Sequence, residues 1–73
     1  MQSRDLLQRV GQALYGERWQ SALAADLSVS DRTMRKWLAG EHPIRPQIWG
    51  ELRELVVERR GRLDTLAREL ERL

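Results

Sequence analysis

The chain has no cysteine, so neither a disulfide nor a thiolate metal site can supplement its core. Its single histidine, His42, rules out the usual zinc constellations. No apolar run approaches the roughly 18 residues that a membrane span needs, and the N-terminus lacks the charged, then apolar, then small-residue order of a signal peptide. Internal repeats and low-complexity segments are also missing. Nothing assembles a nucleophile with a base and an orienting acid, a carboxylate pair in a pocket, or a glycine-rich phosphate loop; the glycines stand singly and the acids fall mostly on exposed helix faces. An enzyme is therefore not expected, nor a cofactor, metal or small-molecule ligand, and the chain reads as soluble and cytoplasmic.

What is present is one short domain of 73 residues, whose core is so small that folding alone is marginal and a partner would help. The net charge of +2 is modest, but it is unevenly placed. Residues 1 to 29 balance, as do residues 47 to 73, whereas Ser30 to Pro46 sets Arg32, Arg35, Lys36 and Arg45 against Asp31 and Glu41. Lysine occurs once and arginine supplies every other cation, which suits bidentate contacts with phosphate or guanine. A GC-rich genome would give the same bias without any function.

The chain is organised around Gln20 to Gly40. Leu23, Ala24 and Leu27, and then Met34, Trp37 and Leu38, recur at three- and four-residue spacings that make two short amphipathic helices. Between them Val29 can plug the angle and Ser30 can cap the second helix, with Asp31 complementing its dipole. Ala24 is small enough to let the helices cross closely at a steep angle, which is helix-turn-helix geometry. The face left over on the second helix carries Arg32, Thr33, Arg35 and Lys36, with Asp31 at its tip, and such a face suits the DNA major groove.

At these residues the chain resembles the helix-turn-helix domains of the lambda-repressor and Cro superfamily. The match covers Gln20 at the start of the first helix, Ala24 at the crossing, Leu27 and Val29 around the turn, Ser30 at the cap, Met34 and Trp37 inside, and Gly40 at the close. One departure is Ser28, where the family usually has glycine. Ser28 must take a left-handed conformation, at a cost on the order of 1 kcal/mol, or the turn must run slightly differently. The resemblance implies DNA-backbone contacts by Gln20 and Ser30, and by Arg45, since in that family the loop after the recognition helix lies along the backbone. Base contacts would come from Arg32, Arg35 and Lys36, with Asp31 or Thr33 discriminating neighbours.

Elsewhere, Ser3 can cap a first helix over about residues 4 to 15, with Leu6, Leu7, Val10 and Leu14 at helical spacing and Gly16 placed to end it. Gly11 either weakens that helix or admits a close neighbour. Trp19 stands just ahead of the second helix, where it can pack back on Leu23 as a core tryptophan. Pro43 and Pro46 make an extended connector, Pro46 fitting the first position of the next helix.

From Gln47 to Leu73 the chain is helical throughout or broken once at Gly61. Ile48, Trp49, Leu52 and Leu55 should pack on the first three helices. From Leu52, positions 52, 56, 59, 63, 66, 70 and 73 alternate steps of four and three, all Leu or Val except Arg59. Leu63, Leu66, Leu70 and Leu73 lie beyond what three short helices can cover and need a partner.

The expectation is an all-α, four- to five-helix lambda-repressor-like helix-turn-helix domain spanning residues 1–73. Its helix-turn-helix would span residues 20–40 and its dimerisation helix residues 47–73. Its partners would be double-stranded DNA and a second copy, through Leu63, Leu66, Leu70 and Leu73. The function implied is a dimeric repressor, an autorepressor of a small bacterial or phage operon, reading an inverted repeat. The alternative is an antitoxin or adaptor whose C-terminal helix binds a different protein.

Overall fold

The computed structural model describes residues Ser3 to Leu73, which form four helices and, among the described residues, no strand. They are α1 (Ser3–Tyr15), α2 (Trp19–Asp26), α3 (Asp31–Ala39) and α4 (Gln47–Glu71). None is long and apolar enough to cross a membrane. Ser3 is the first described residue of α1, so the expected cap at Ser3 lies at the edge of the described residues.

Local chemistry explains most of the boundaries. Gly16, at φ +83°, ends α1 in the left-handed region that costs glycine little. Ser30 is extended and its hydroxyl accepts the Thr33 N–H at 3.0 Å, capping α3 as its residue type suggests. The exits from α2 and α3 are built alike. After α2, Ser28 donates to the Ala25 carbonyl and Val29 to the Ala24 carbonyl; after α3, Gly40 donates to the Trp37 carbonyl and Glu41 to the Lys36 carbonyl. Both are the paired closing bonds that satisfy orphan carbonyls around one left-handed residue. That residue is Gly40 at φ +78° in one case and Ser28 at φ +59° in the other, so of the two routes open to Ser28 the chain takes the strained one.

One core joins all four helices. Leu7 from α1, Leu23 and Ala24 from α2, Met34 and Trp37 from α3, and Ile48 and Leu52 from α4 are buried together, with Trp49 and Leu55 half-buried against them. No polar or charged side chain is buried among the described residues. The helix that meets all three others is α1, while α2 packs also on α3.

Trp19 is the first residue of α2 rather than a residue ahead of it, and its ring lies flat on Gly11. A Cβ at Gly11 would sit 2.0 Å from the indole, so this glycine serves close approach.

Through Gly61 α4 is unbroken and runs 25 residues, about 37 Å at 1.5 Å per residue. The molecule measures 49 × 22 × 21 Å, so the helix outruns the body it packs on. Every residue from Arg60 onward is exposed.

Candidate nucleic-acid interface

The outer face of α3 follows from its inner one. With Met34 and Trp37 buried, a 3.6-residue repeat turns Arg32, Arg35 and Lys36 away from the core. Arg32, Arg35, Lys36, Ala39 and Glu41 line one shallow depression on that side. Arg32 and Arg35 are exposed and Lys36 half-exposed, and among the described residues none of the three has an acidic partner within salt-bridge distance. Three cations are thus held on one helix without a salt bridge, with Glu41 at the same depression.

Two other expected site residues are engaged within the protein. The Asp31 carboxylate accepts from the Ser21 hydroxyl of α2 at 3.2 Å, tying the start of α3 to its neighbour. The Thr33 hydroxyl accepts from Ser30 at 3.1 Å beside the cap, on the flank of α3. Both bonds are solvent-accessible, and a ligand that replaced them would face only the modest net cost of an exposed hydrogen bond.

Ser30, at the N-terminus of α3, and Gln20, one residue into α2, are both exposed. Gln20 lines a hollow with Arg4, Asp5, Gln8, Trp19 and Leu38. Arg45 reaches back from the proline loop so that its guanidinium lies 5.8 Å from the Trp37 ring centroid. Cation–π contact on an aromatic that is itself buried holds that charge beside α3. Arg4 lies on the same side: Nη1 donates to the Leu38 carbonyl at the long limit of 3.5 Å, and it would meet a Cβ at Gly40 at 2.9 Å. His42 lines a further hollow with Arg4, Trp37 and Ile44. The C-terminal end of α3 is therefore ringed by Arg4 and Arg45 in addition to the cations on α3 itself. Arg4 was missed from the sequence because 34 residues separate it from Leu38 and no local spacing signals the contact.

At the C-terminal end of α1, three residues tie it to α2 and α4. The Tyr15 hydroxyl donates to the Asp26 carboxylate, and Arg59 Nη1 donates to the Leu14 carbonyl at 2.7 Å while its guanidinium sits 5.6 Å from the Tyr15 ring centroid. Partial burial, and next the bond to Asp26, push the Tyr15 phenol up to about 12, so it is a fixed donor at neutral pH rather than a proton-transfer group. Arg59 breaks the apolar repeat of α4 because it satisfies and charge-complements the end of α1.

Comparisons of the chain with protein-family models, with curated proteins and with solved structures give no match. The functional reading rests on the residues alone.

Of the expected interface leucines, Leu63, Leu66, Leu70 and Leu73 all stand exposed on the projecting part of α4. Within the same stripe Leu52 is buried, Val56 is turned out at 40 % exposure, and Arg59 is half-buried. The shared portion of the seam is thus shorter than the sequence implied, since Val56 falls off the core.

Proposed function

We propose that this chain is a sequence-specific DNA-binding transcription regulator, a dimeric repressor of a small bacterial or phage operon, with α2 and α3 as a lambda-repressor-like helix-turn-helix. The observation that carries the reading is the unpaired cationic face of α3, Arg32, Arg35 and Lys36, on a helix whose other side is locked into the core by Met34 and Trp37. The short turn through left-handed Ser28, the small Ala24 in the core and the Ser30 cap support it. In this reading α3 enters the major groove, Arg32 and Arg35 read bases, and Lys36 reads a base or a phosphate. Gln20, Ser30 and Arg45 hold the backbone, and Asp31 and Thr33 discriminate at the edges.

A single recognition helix contacts too few base pairs to mark one genomic site, so a twofold pair reading an inverted repeat is the arrangement this size calls for. The bare leucines of α4 supply a surface for it. They suit equally the adaptor reading, in which a different protein covers them; a stable homodimer by sedimentation favours the repressor, and a tail that orders only with another chain favours the adaptor.

The deciding experiment is selection of binding sites from random DNA. A single enriched inverted repeat is expected. Arg32→Ala and Arg35→Ala should each weaken binding to it by about 1–3 kcal/mol while the fold is kept. Folded variants with parental affinity, or no enriched sequence, would remove the reading.

A further inference from the structure

The dimer reading leaves open how two copies of α4 lie against each other, and three features of that helix bear on it. The seam has Leu52, Arg59, Leu66 and Leu73 at one heptad position and Val56, Leu63 and Leu70 at the other, on a helix that stays continuous through Gly61. Flanking the seam are Arg62 and Glu69 on one side and Arg60 and Ala67 on the other. Finally, α1 and α4 leave an apolar groove in each chain, lined by Leu6, Val10, Trp49, Val56 and Val57 with Arg53 at its edge.

In a parallel pair each flanking position faces the opposite flank of the partner, so Arg62 meets Ala67 and Glu69 finds no cation. Arg59 also meets Arg59, although each is already committed to its own Leu14 carbonyl. An antiparallel pair, with the twofold axis between residues 64 and 65, removes both problems. Leu63 then faces Leu66, Val56 faces Leu73, and Leu70 lies along the stem of Arg59, every contact occurring twice by symmetry. Arg62 meets Glu69 across the interface, also twice. The existing bond of Arg62 to Glu58, 2.8 Å between exposed side chains one helical turn apart, is of the weak kind that exchanges readily.

The same register brings the end of each helix to the other chain's groove, because Val56 is both the seam residue opposite Leu73 and a wall of that groove. Resting on the dimer reading, we infer that two copies of this chain pair antiparallel through residues 56 to 73. The C-terminal end of each α4 is seated in the α1/α4 groove of the other. One interface then covers the leucine stripe and the groove together.

The chain's lack of cysteine makes the test direct. Val56→Cys and Leu73→Cys, both at exposed positions, are prepared separately, checked for parental helicity and oxidised alone and as an equimolar mixture. In the antiparallel register residues 56 and 73 of different copies meet, whereas identical positions lie 17 residues apart along the pair, about 25 Å. That is far beyond disulfide reach. The expected result is a Val56→Cys/Leu73→Cys heterodimer in the mixture and no cross-link in either variant alone.

Self-cross-linking of Leu73→Cys without the mixed product would overturn the antiparallel arrangement and leave the dimer standing. A parent chain that sediments as a monomer at micromolar concentration would overturn both, while site selection would still decide DNA binding. As a second readout, Arg62→Glu and Glu69→Arg should each weaken self-association roughly tenfold through like-charge contacts. Mixing the two should restore it, and failure to restore argues against the register.

Discussion

The part of α4 before Gly61 and the part after it share one heptad pattern and one unbroken backbone. Yet Ile48 and Leu52 are 2 % exposed, whereas Leu63, Leu66 and Leu70 each show more than half of their surface. The sequence pattern sets which face of a helix is apolar, and the reach of the neighbouring helices sets how much of that face is covered. Here α1 gives out at Tyr15, where Arg59 donates to the Leu14 carbonyl, and from Arg60 onward every residue of α4 is exposed. The first half is therefore a stability element, and the second is an exposed apolar stripe that the proposed function assigns to a partner.

The strongest way to break the comparison is to remove what the first half packs into. Trp37→Ala, at 2 % exposure, should cost about 3–5 kcal/mol, close to the whole stability of so small a domain. Thermal unfolding followed by circular dichroism should show no cooperative transition near the parental temperature; a parental transition would place Trp37 outside the core.

Next comes a direct contrast along the helix. Leu52→Ala should cost about 2–5 kcal/mol at any protein concentration. Leu66→Glu with Leu70→Glu should leave the body folded and abolish self-association, with DNA binding reduced to weak and nonspecific. Denaturation of Leu52→Ala and sedimentation of the double variant measure the two effects, and a double variant that stayed dimeric would show that the stripe is not the contact.

A smaller effect separates the two left-handed helix exits. Ser28→Gly should stabilise by about 1 kcal/mol by relieving the backbone strain at φ +59°. Gly40→Ser should destabilise, since φ is positive there, while the exposed Arg4 guanidinium beside the added Cβ can move aside. Equal and negligible shifts in the denaturation midpoint would mean that the strain at Ser28 is offset elsewhere in the turn.

The smallest expected effect is alkaline. Folding raises the Tyr15 phenol from 10.0 to about 12, favouring its protonated form. Its contribution is whole below pH 10 and is lost as pH climbs towards 12, because there the unfolded chain gives up the proton first. Tyr15→Phe should lack that part of the alkaline fall in stability. Identical pH profiles for parent and variant would show that the bond to Asp26 does not persist in solution.

Much of this architecture was legible before any coordinates. Apolar spacing located four helices, because burial of one face imposes its period on the sequence. Ser30, Gly16 and Gly40 marked ends, because capping and positive φ depend on residue type and immediate neighbours. The outward set Arg32, Arg35 and Lys36 followed from the inward set Met34 and Trp37 by helical geometry alone. Even the strained conformation of Ser28 was among the sequence-level expectations.

Tertiary structure decided everything that joins distant positions. Gly11 was ambiguous until Trp19 lay on it, and Arg59 was an irregularity in a heptad until the Leu14 carbonyl appeared 2.7 Å away. Asp31 was a free acid at the start of α3 until Ser21 met it, and Arg4 had no contact until the end of α3 came to rest beside it. Gly61, which the sequence left as a straight run or a break, proved to lie within an unbroken helix, and Val56 proved to face outward. Periodicity and capping are properties of a few consecutive residues and can be read from them. Which carbonyl, ring or hydroxyl meets a given side chain depends on how separate helices pack, and no local pattern encodes it.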